Sequence, residues 1–236
     1  MSTGAHTVKA FDDDLDQLRA SIAEMGGLAE RAIRESMHAL MRRDTEAAAR
    51  VIEDDRRIDA LEAEVERNAV QIIALRAPMA DDLRDVVAAL KIGGVVERIG
   101  DYAKNIAKRV RVIEESPTIE PLSLLPEMAR IAGEMVHNVL DAFAARDPEK
   151  ALAVCDRDRA VDDFYNSIFR TLLTFMMENP HNITPATHLL FIAKNLERIG
   201  DHATNVAEMV YFAATGRQMT ERARGADPVW IEGANG

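Results

Sequence analysis

From Phe11 to about Arg42 the apolar residues Leu15, Leu18, Ile22, Met25, Leu28, Ile33, Met37 and Leu40 stand three or four places apart over many turns. This is the period of an amphipathic helix, and it predicts one long helix of about 45 Å at 1.5 Å per residue. Asp44 stands where an N-cap is expected, and Val51, Ile52, Ile58, Leu61, Val65, Ala69 and Ile72 carry a second helix toward Pro78. Asp81 or Asp82 can open a third, which runs to about Glu115. Three prolines then interrupt the chain between Ser116 and Pro126, and this stretch reads as a linker.

After the linker the pattern restarts. Met128, Ile131, Met135, Val139 and Phe143 mark a fourth helix that ends near Arg146-Asp147-Pro148, where Asp can cap and Pro can take the first position of a fifth. The fifth stops before Asn179-Pro180-His181-Asn182, and the sixth opens at Thr184-Pro185 and reaches about Thr215-Gly216. The expected fold is therefore all-α, two tandem three-helix-bundle repeats: residues 8–115, a linker at 116–126, residues 127–216, and a disordered tail at 217–236 that carries the single tryptophan, Trp230.

The two halves are related in sequence as well as in pattern. Leu90–Val110 and Leu190–Val210, laid over each other at an offset of 100, agree at Leu90, Ile92, the run Glu97-Arg98-Ile99-Gly100-Asp101, Ala103, Asn105, Ala107 and Val110. At an offset of 103, Asp44 meets Asp147, Asp55 meets Asp158, Arg56 meets Arg159 and Asp59 meets Asp162. The second and third helices of each unit are thus an internal duplication.

Each unit carries two acidic pairs at i,i+4 on different helices. They are Asp55/Asp59 with Glu97/Asp101, and Asp158/Asp162 with Glu197/Asp201. Like charges at this spacing repel by a few tenths of a kcal/mol, so their repetition calls for a reason. Helices in a bundle lie about 8–10 Å apart, near enough for four carboxylates on a shared seam to hold a cation such as Fe, Mn, Mg or Zn. Asn105 and Asn205 extend the two stripes. Gly100 and Gly200 sit mid-helix at a cost of about 1 kcal/mol against Ala, which points to close approach by a neighbour, and Arg98 and Arg198 could orient the acids. The plain alternative is a solvated polar face, since Glu97 and Asp101 fall largely opposite Ile99 and Ile106 on a helical wheel.

Composition narrows the functional classes. With 29 Lys+Arg against 40 Asp+Glu, a net charge of -11 disfavours nucleic acid and anionic lipid as partners. No run of 18 apolar residues and no signal-peptide core occurs, so a cytoplasmic chain without membrane insertion is expected. The single cysteine, Cys155, excludes an internal disulfide and reads as a small apolar residue. Glu35/His38 and Glu134/His137 match Glu-x-x-His but do not align between the repeats, so chance accounts for them. His202 is matched by Tyr102 and reads as a polar surface histidine, and His188 as a helix-face histidine with a local partner. No phosphate loop or nucleophile elbow is present, and nothing argues for catalysis.

DDRRIDALE at 54–62, ALRAPMADDLR at 74–84, ERIGDYAKNIA at 97–107 and ATHLLFIAKNLERIGDHATNVAE at 186–208 occur together, and over residues 8 to 215 the chain resembles the PhoU family. The resemblance implies two three-helix repeats, a homodimer, and multinuclear iron or zinc on Asp55, Asp59, Glu97, Asp101, Asp158, Asp162, Glu197 and Asp201. Asp55 and Asp158 stand where the family pattern has the longer Glu. It implies a non-enzymatic negative regulator of phosphate uptake and phosphate-starvation signalling. That regulator acts through the phosphate transporter's ATPase subunit and a phosphate sensor histidine kinase, recruited by them to the inner face of the membrane. The competing readings are a carboxylate-bridged metal store or oxidase, and a helical adaptor whose acids are only a solvated face.

Overall fold

In the computed structural model, which describes residues 3–116 and 119–219, six helices follow one another. They are α1 (Thr3–Arg42), α2 (Thr45–Arg76), α3 (Asp81–Glu114), α4 (Leu125–Ala145), α5 (Pro148–Glu178) and α6 (Ile183–Thr215), with a short 3-10 turn at Glu120–Leu124 and another at Pro180–Asn182. Among the described residues there is no strand. Helices α1, α2 and α3 pack on one another, as do α4, α5 and α6, so the two predicted three-helix units are present. The 40 residues of α1 make it about 60 Å long, longer than its apolar pattern from Phe11 indicated, because the helix starts at Thr3.

The turns are set by local chemistry repeated in both halves. Asp44 accepts from the Ala47 amide at 2.8 Å, and Asp147 accepts from the amides of Glu149 and Lys150 at 2.9 and 3.0 Å, each holding donors that a helix start leaves unpaired. The residue before each cap is an arginine in the left-handed region, Arg43 at φ 55 and Arg146 at φ 52, where glycine is the usual choice. Both side chains reach back across the bundle: Arg43 Nη1 donates to the Glu114 carbonyl at 3.2 Å, and Arg146 Nη1 pairs with Asp85 at 2.9 Å. Between the units, Ile119, Leu122 and Leu125 are buried, and α4 takes Pro126 into its first turn, where a missing amide hydrogen costs nothing.

The halves join through α3 against α6, with α1 against α4 beside them. One buried apolar cluster runs through all six helices. Tyr102 and His202, equivalent positions of the two repeats, touch each other: the hydroxyl lies 3.3 Å from Nε2 and the ring centroids 5.2 Å apart. Alongside, Arg109 of α3 stacks 4.5 Å above the Phe191 ring and meets His188 Nδ1 at 3.1 Å, so the partner of His188 comes from the other repeat and is not local.

Of the duplicated glycines, Gly100 marks close helix contact and Gly200 does not. A Cβ at Gly100 would lie 2.8 Å from Ile58 Cδ1 and 3.3 Å from Asp55 Oδ1, whereas at Gly200 the nearest atoms, on Asp158 and Val161, are at an ordinary 3.4 Å. A Cβ at Gly93 would meet Val65 Cγ1 at 2.9 Å, and a β-branched side chain has little freedom to yield. Gly200→Ala is therefore expected to stabilise by up to about 1 kcal/mol through helix propensity, while Gly93→Ala is expected to lose about 1–3 kcal/mol to overpacking. Denaturant midpoints moving in the same direction for both would contradict this.

Candidate metal and regulatory seams

Each seam is built where α2 crosses α3, or α5 crosses α6, with a glycine at the crossing. Gly100 lets the α2 side chains come in beside the α3 backbone, and Asp55 is thereby buried, only 4% exposed. Asp158 lies beside Gly200, where an added Cβ would meet it at an ordinary 3.4 Å, and is 6% exposed. Asp59 is exposed, whereas Glu97, Asp101, Asp162 and Asp201 are half-buried and Glu197 is 14% exposed at its side chain. The acids thus line helix seams and are not a plain solvated face.

The first seam brings together Asp55, Asp59, Glu97 and Asp101, and adds Glu62, which shared no acidic counterpart in the other repeat and so escaped the duplication test. Burial, and then the charges of Asp101, Asp59, Glu62 and Asp55, push the Glu97 carboxyl above its ordinary range. Burial raises Asp55 as well, against the hydrogen bond and charge of Lys104. Lys104 Nζ donates to Asp55 and pairs with Asp101, joining α2 to α3. Burial alone would lower this ammonium, but its hydrogen bonds to Asp101 and Asp55 and their charges outweigh that and hold it above the usual lysine range.

In the second seam, burial and the neighbouring charges of Glu197 and Asp201 push Asp162 up to about 6. Asp201 is also raised, by burial, against the charges of Lys194 and Arg198. Lys194 Nζ sits 2.6 Å from both carboxylate oxygens of Glu197 and donates to Oε1. It also lies 5.1 Å from the Tyr165 ring, the residue that replaces Glu62 in this repeat, and burial raises the Tyr165 hydroxyl.

Several expected roles fall elsewhere. The ion pairs to the carboxylates come from the lysines: Arg198 acts on Asp201 through its charge and lies 5.9 Å from the Tyr102 ring, and Arg98 lines a groove with Glu97, Asp101, Tyr102 and Asn105. The signal for Lys104 and Lys194 was present, since each stands three residues from an acid of the duplicated motif. Asn105 Oδ1 accepts from Lys108 at 3.4 Å, and Asn205 approaches His202 Nδ1 at 3.4 Å. His202 is half-buried against Tyr102, not a surface residue, and burial followed by the charges of Arg98 and Arg198 keeps its pKa low. Glu134 pairs with Arg130 and Arg157, and His137 with Glu30 at 3.3 Å, so Glu134 and His137 have separate partners. Cys155 Sγ lies 3.9 Å from Met219 Sδ. Trp230 lies outside the described residues.

The PhoU domain model matches residues 22–110 and again 125–210, the two helical units just described. The chain belongs to the PhoU family. It is 60% identical over 97% of both chains to the phosphate-specific transport system accessory protein PhoU homolog of Zymomonas mobilis. It is 48% identical to the corresponding Caulobacter vibrioides protein over 92% of this chain and 95% of that one. The crystal structure of PhoU from Pseudomonas aeruginosa matches with a TM-score of 0.84 and 35% identity, covering 88% of this chain and all of that one. The phosphate transport system regulatory protein PhoU of Streptococcus pneumoniae matches at 0.82 with 27% identity, over 89% of this chain and 100% of that one.

Hard oxygen donors of these types suit iron, zinc, manganese or magnesium. Burial and neighbouring carboxylates raise Glu97 and Asp162, and a cation would relieve that repulsion, so in this respect the seams fit one. As the side chains stand, no three carboxylate, imidazole or thiol groups among the described residues close on one point as a metal cage.

Proposed function

We propose that this chain restrains phosphate uptake and phosphate-starvation signalling when phosphate is plentiful, acting by protein contacts and not by chemistry of its own. The observation that carries this reading is the 60% identity, across 97% of both chains, to a phosphate-specific transport system accessory protein. The partners are the phosphate transporter's ATPase subunit and a phosphate sensor histidine kinase, and the working form is a homodimer in the cytoplasm. Among the described residues no helix is long and apolar enough to cross a membrane, so recruitment to the inner face of the membrane runs through those partners. An acidic chain of net charge -11 would meet basic patches on them, and its binding should weaken with salt.

In this reading the acidic seams bind iron or zinc, with manganese or magnesium as the other candidates, through Asp55, Asp59, Glu97, Asp101, Asp158, Asp162, Glu197 and Asp201. A bound cation would offset the mutual repulsion of these carboxylates and would fasten α2 to α3 and α5 to α6. Deleting the gene is expected to leave starvation genes on and phosphate accumulating as polyphosphate in phosphate-rich medium. Normal repression together with wild-type phosphate uptake in the deletion strain would refute the assignment.

A further inference from the structure

Where α3 meets α6 the chain shows a chemistry different from that of the seams. On α3, Arg98, Tyr102, Asn105 and Arg109 follow at steps of four, three and four; on α6, Phe191, Arg198, His202 and Asn205 follow at seven, four and three. Each set therefore shares one helix face. The two faces meet: Tyr102 touches His202, Arg198 lies 5.9 Å from the Tyr102 ring, Arg109 stacks 4.5 Å above the Phe191 ring, and the charges of Arg98 and Arg198 both reach His202. Glu97, Asp101, Glu197 and Asp201 each stand one residue back, about 100° round the helix toward the seams, and Glu97 and Asp101 rim the groove beside Arg98. Even so, Arg98, Arg109 and Arg198 form no ion pair with a carboxylate among the described residues, although the charge of Arg198 is felt at Asp201. Arg98 and Arg198 are exposed, and Phe191 is 49% exposed.

We propose that the crossing of α3 and α6 is a docking groove for an acidic segment of a protein partner, with Arg98, Arg109 and Arg198 taking its carboxylates and Tyr102 and Phe191 its apolar side chains. This rests on the reading that the chain works by protein contacts, and it gives one of those contacts a surface. Guanidinium groups are weakly hydrated, pair with carboxylates through two parallel hydrogen bonds and pack on aromatic faces, which suits them to interfaces. Arg98 and Arg109 stand eleven residues apart on one helix, about 16 Å, so one small anion cannot reach both, whereas a peptide segment can. A long polyanion would run out over the rest of a chain of net charge -11 and be repelled; a short acidic segment stays within the groove. The acidic remainder of the surface meets basic patches, and the crossing takes the opposite sign.

The test is biolayer interferometry of the full chain against the purified phosphate transporter ATPase subunit and the sensor kinase in nanodiscs, both from the same organism. Wild type is compared with Arg98→Glu/Arg198→Glu and with Arg31→Glu/Arg170→Glu, exposed arginines of α1 and α5 whose reversal changes the net charge equally. Reversal at the crossing is expected to weaken binding to one of the two partners at least tenfold and to flatten its salt dependence, while the control pair changes it less than threefold. Arg98→Gln/Arg198→Gln, which adds no acid, should lose the same binding by about three- to tenfold, and it decides the matter should the reversal unfold the chain. Equal effects of the crossing and control pairs, or no loss at the crossing, would overturn the proposal while leaving the protein-contact reading intact. Binding of neither partner by the wild type would overturn that reading and the proposal with it. Sedimentation of the same proteins checks the other occupant: a dimer that comes apart only with the crossing pair would make the groove an interface between copies of this chain, which also overturns the proposal.

Discussion

Ile99→Ala is expected to lower the stability of the whole chain by about 2–5 kcal/mol, in a single transition. Ile99 is fully buried on α3, the helix that packs on α1, α2 and α6, and removing its outer carbons leaves a cavity that close-packed neighbours fill only in part. Its counterpart Ile199 is equally buried on α6, which packs on α3, α4 and α5, so Ile199→Ala should cost about the same. Because one apolar cluster runs through all six helices, the damage should not stay in one repeat. For a chain of this size a loss of this order moves the melting temperature by roughly 4–20 °C. Hydrogen exchange should show amides of α2 and α5 losing protection together. A melt in two steps, with the second repeat untouched by Ile99→Ala, would show that the repeats unfold separately.

Asp162→Asn is expected to stabilise the metal-free protein at pH 8 and to do nothing near pH 4. In the folded chain the Asp162 carboxyl is raised from 3.8 to about 6, by burial first and then by Glu197 and Asp201. A raised carboxyl works against folding when ionised. The penalty is fully present above about pH 6, shrinks as pH falls toward 3.8, and is absent below that. Such a shift corresponds to at most about 3 kcal/mol, which partial solvation cuts to on the order of 1–2 kcal/mol. The asparagine keeps the shape and removes the charge. Urea midpoints of the two proteins should therefore differ at pH 8 and converge through pH 6 to 4. An equal difference at every pH would mean that the substitution acts through packing.

The helices, their caps at Asp44 and Asp147, and the twofold repetition were written in the sequence, because amphipathic period, capping chemistry and internal identity are local properties of the chain. The acids of the two seams were also legible, since duplication exposes residues kept for a shared reason. Glu62, Lys104 and Lys194 were not, although all stand beside the motif: they differ between the repeats, and a search for matched positions passes over what distinguishes them. Nor could periodicity show that Asp55 and Asp158 are buried while Asp59 is exposed, since burial on the polar side depends on how near a neighbouring helix comes, which at Asp55 is tight enough to require Gly100. The meeting of Tyr102 with His202, and of Arg109 with His188 and Phe191, likewise waited for the fold. These contacts arise where α3 crosses α6, and a helix's own sequence specifies which face is apolar but not which other helix will cover it.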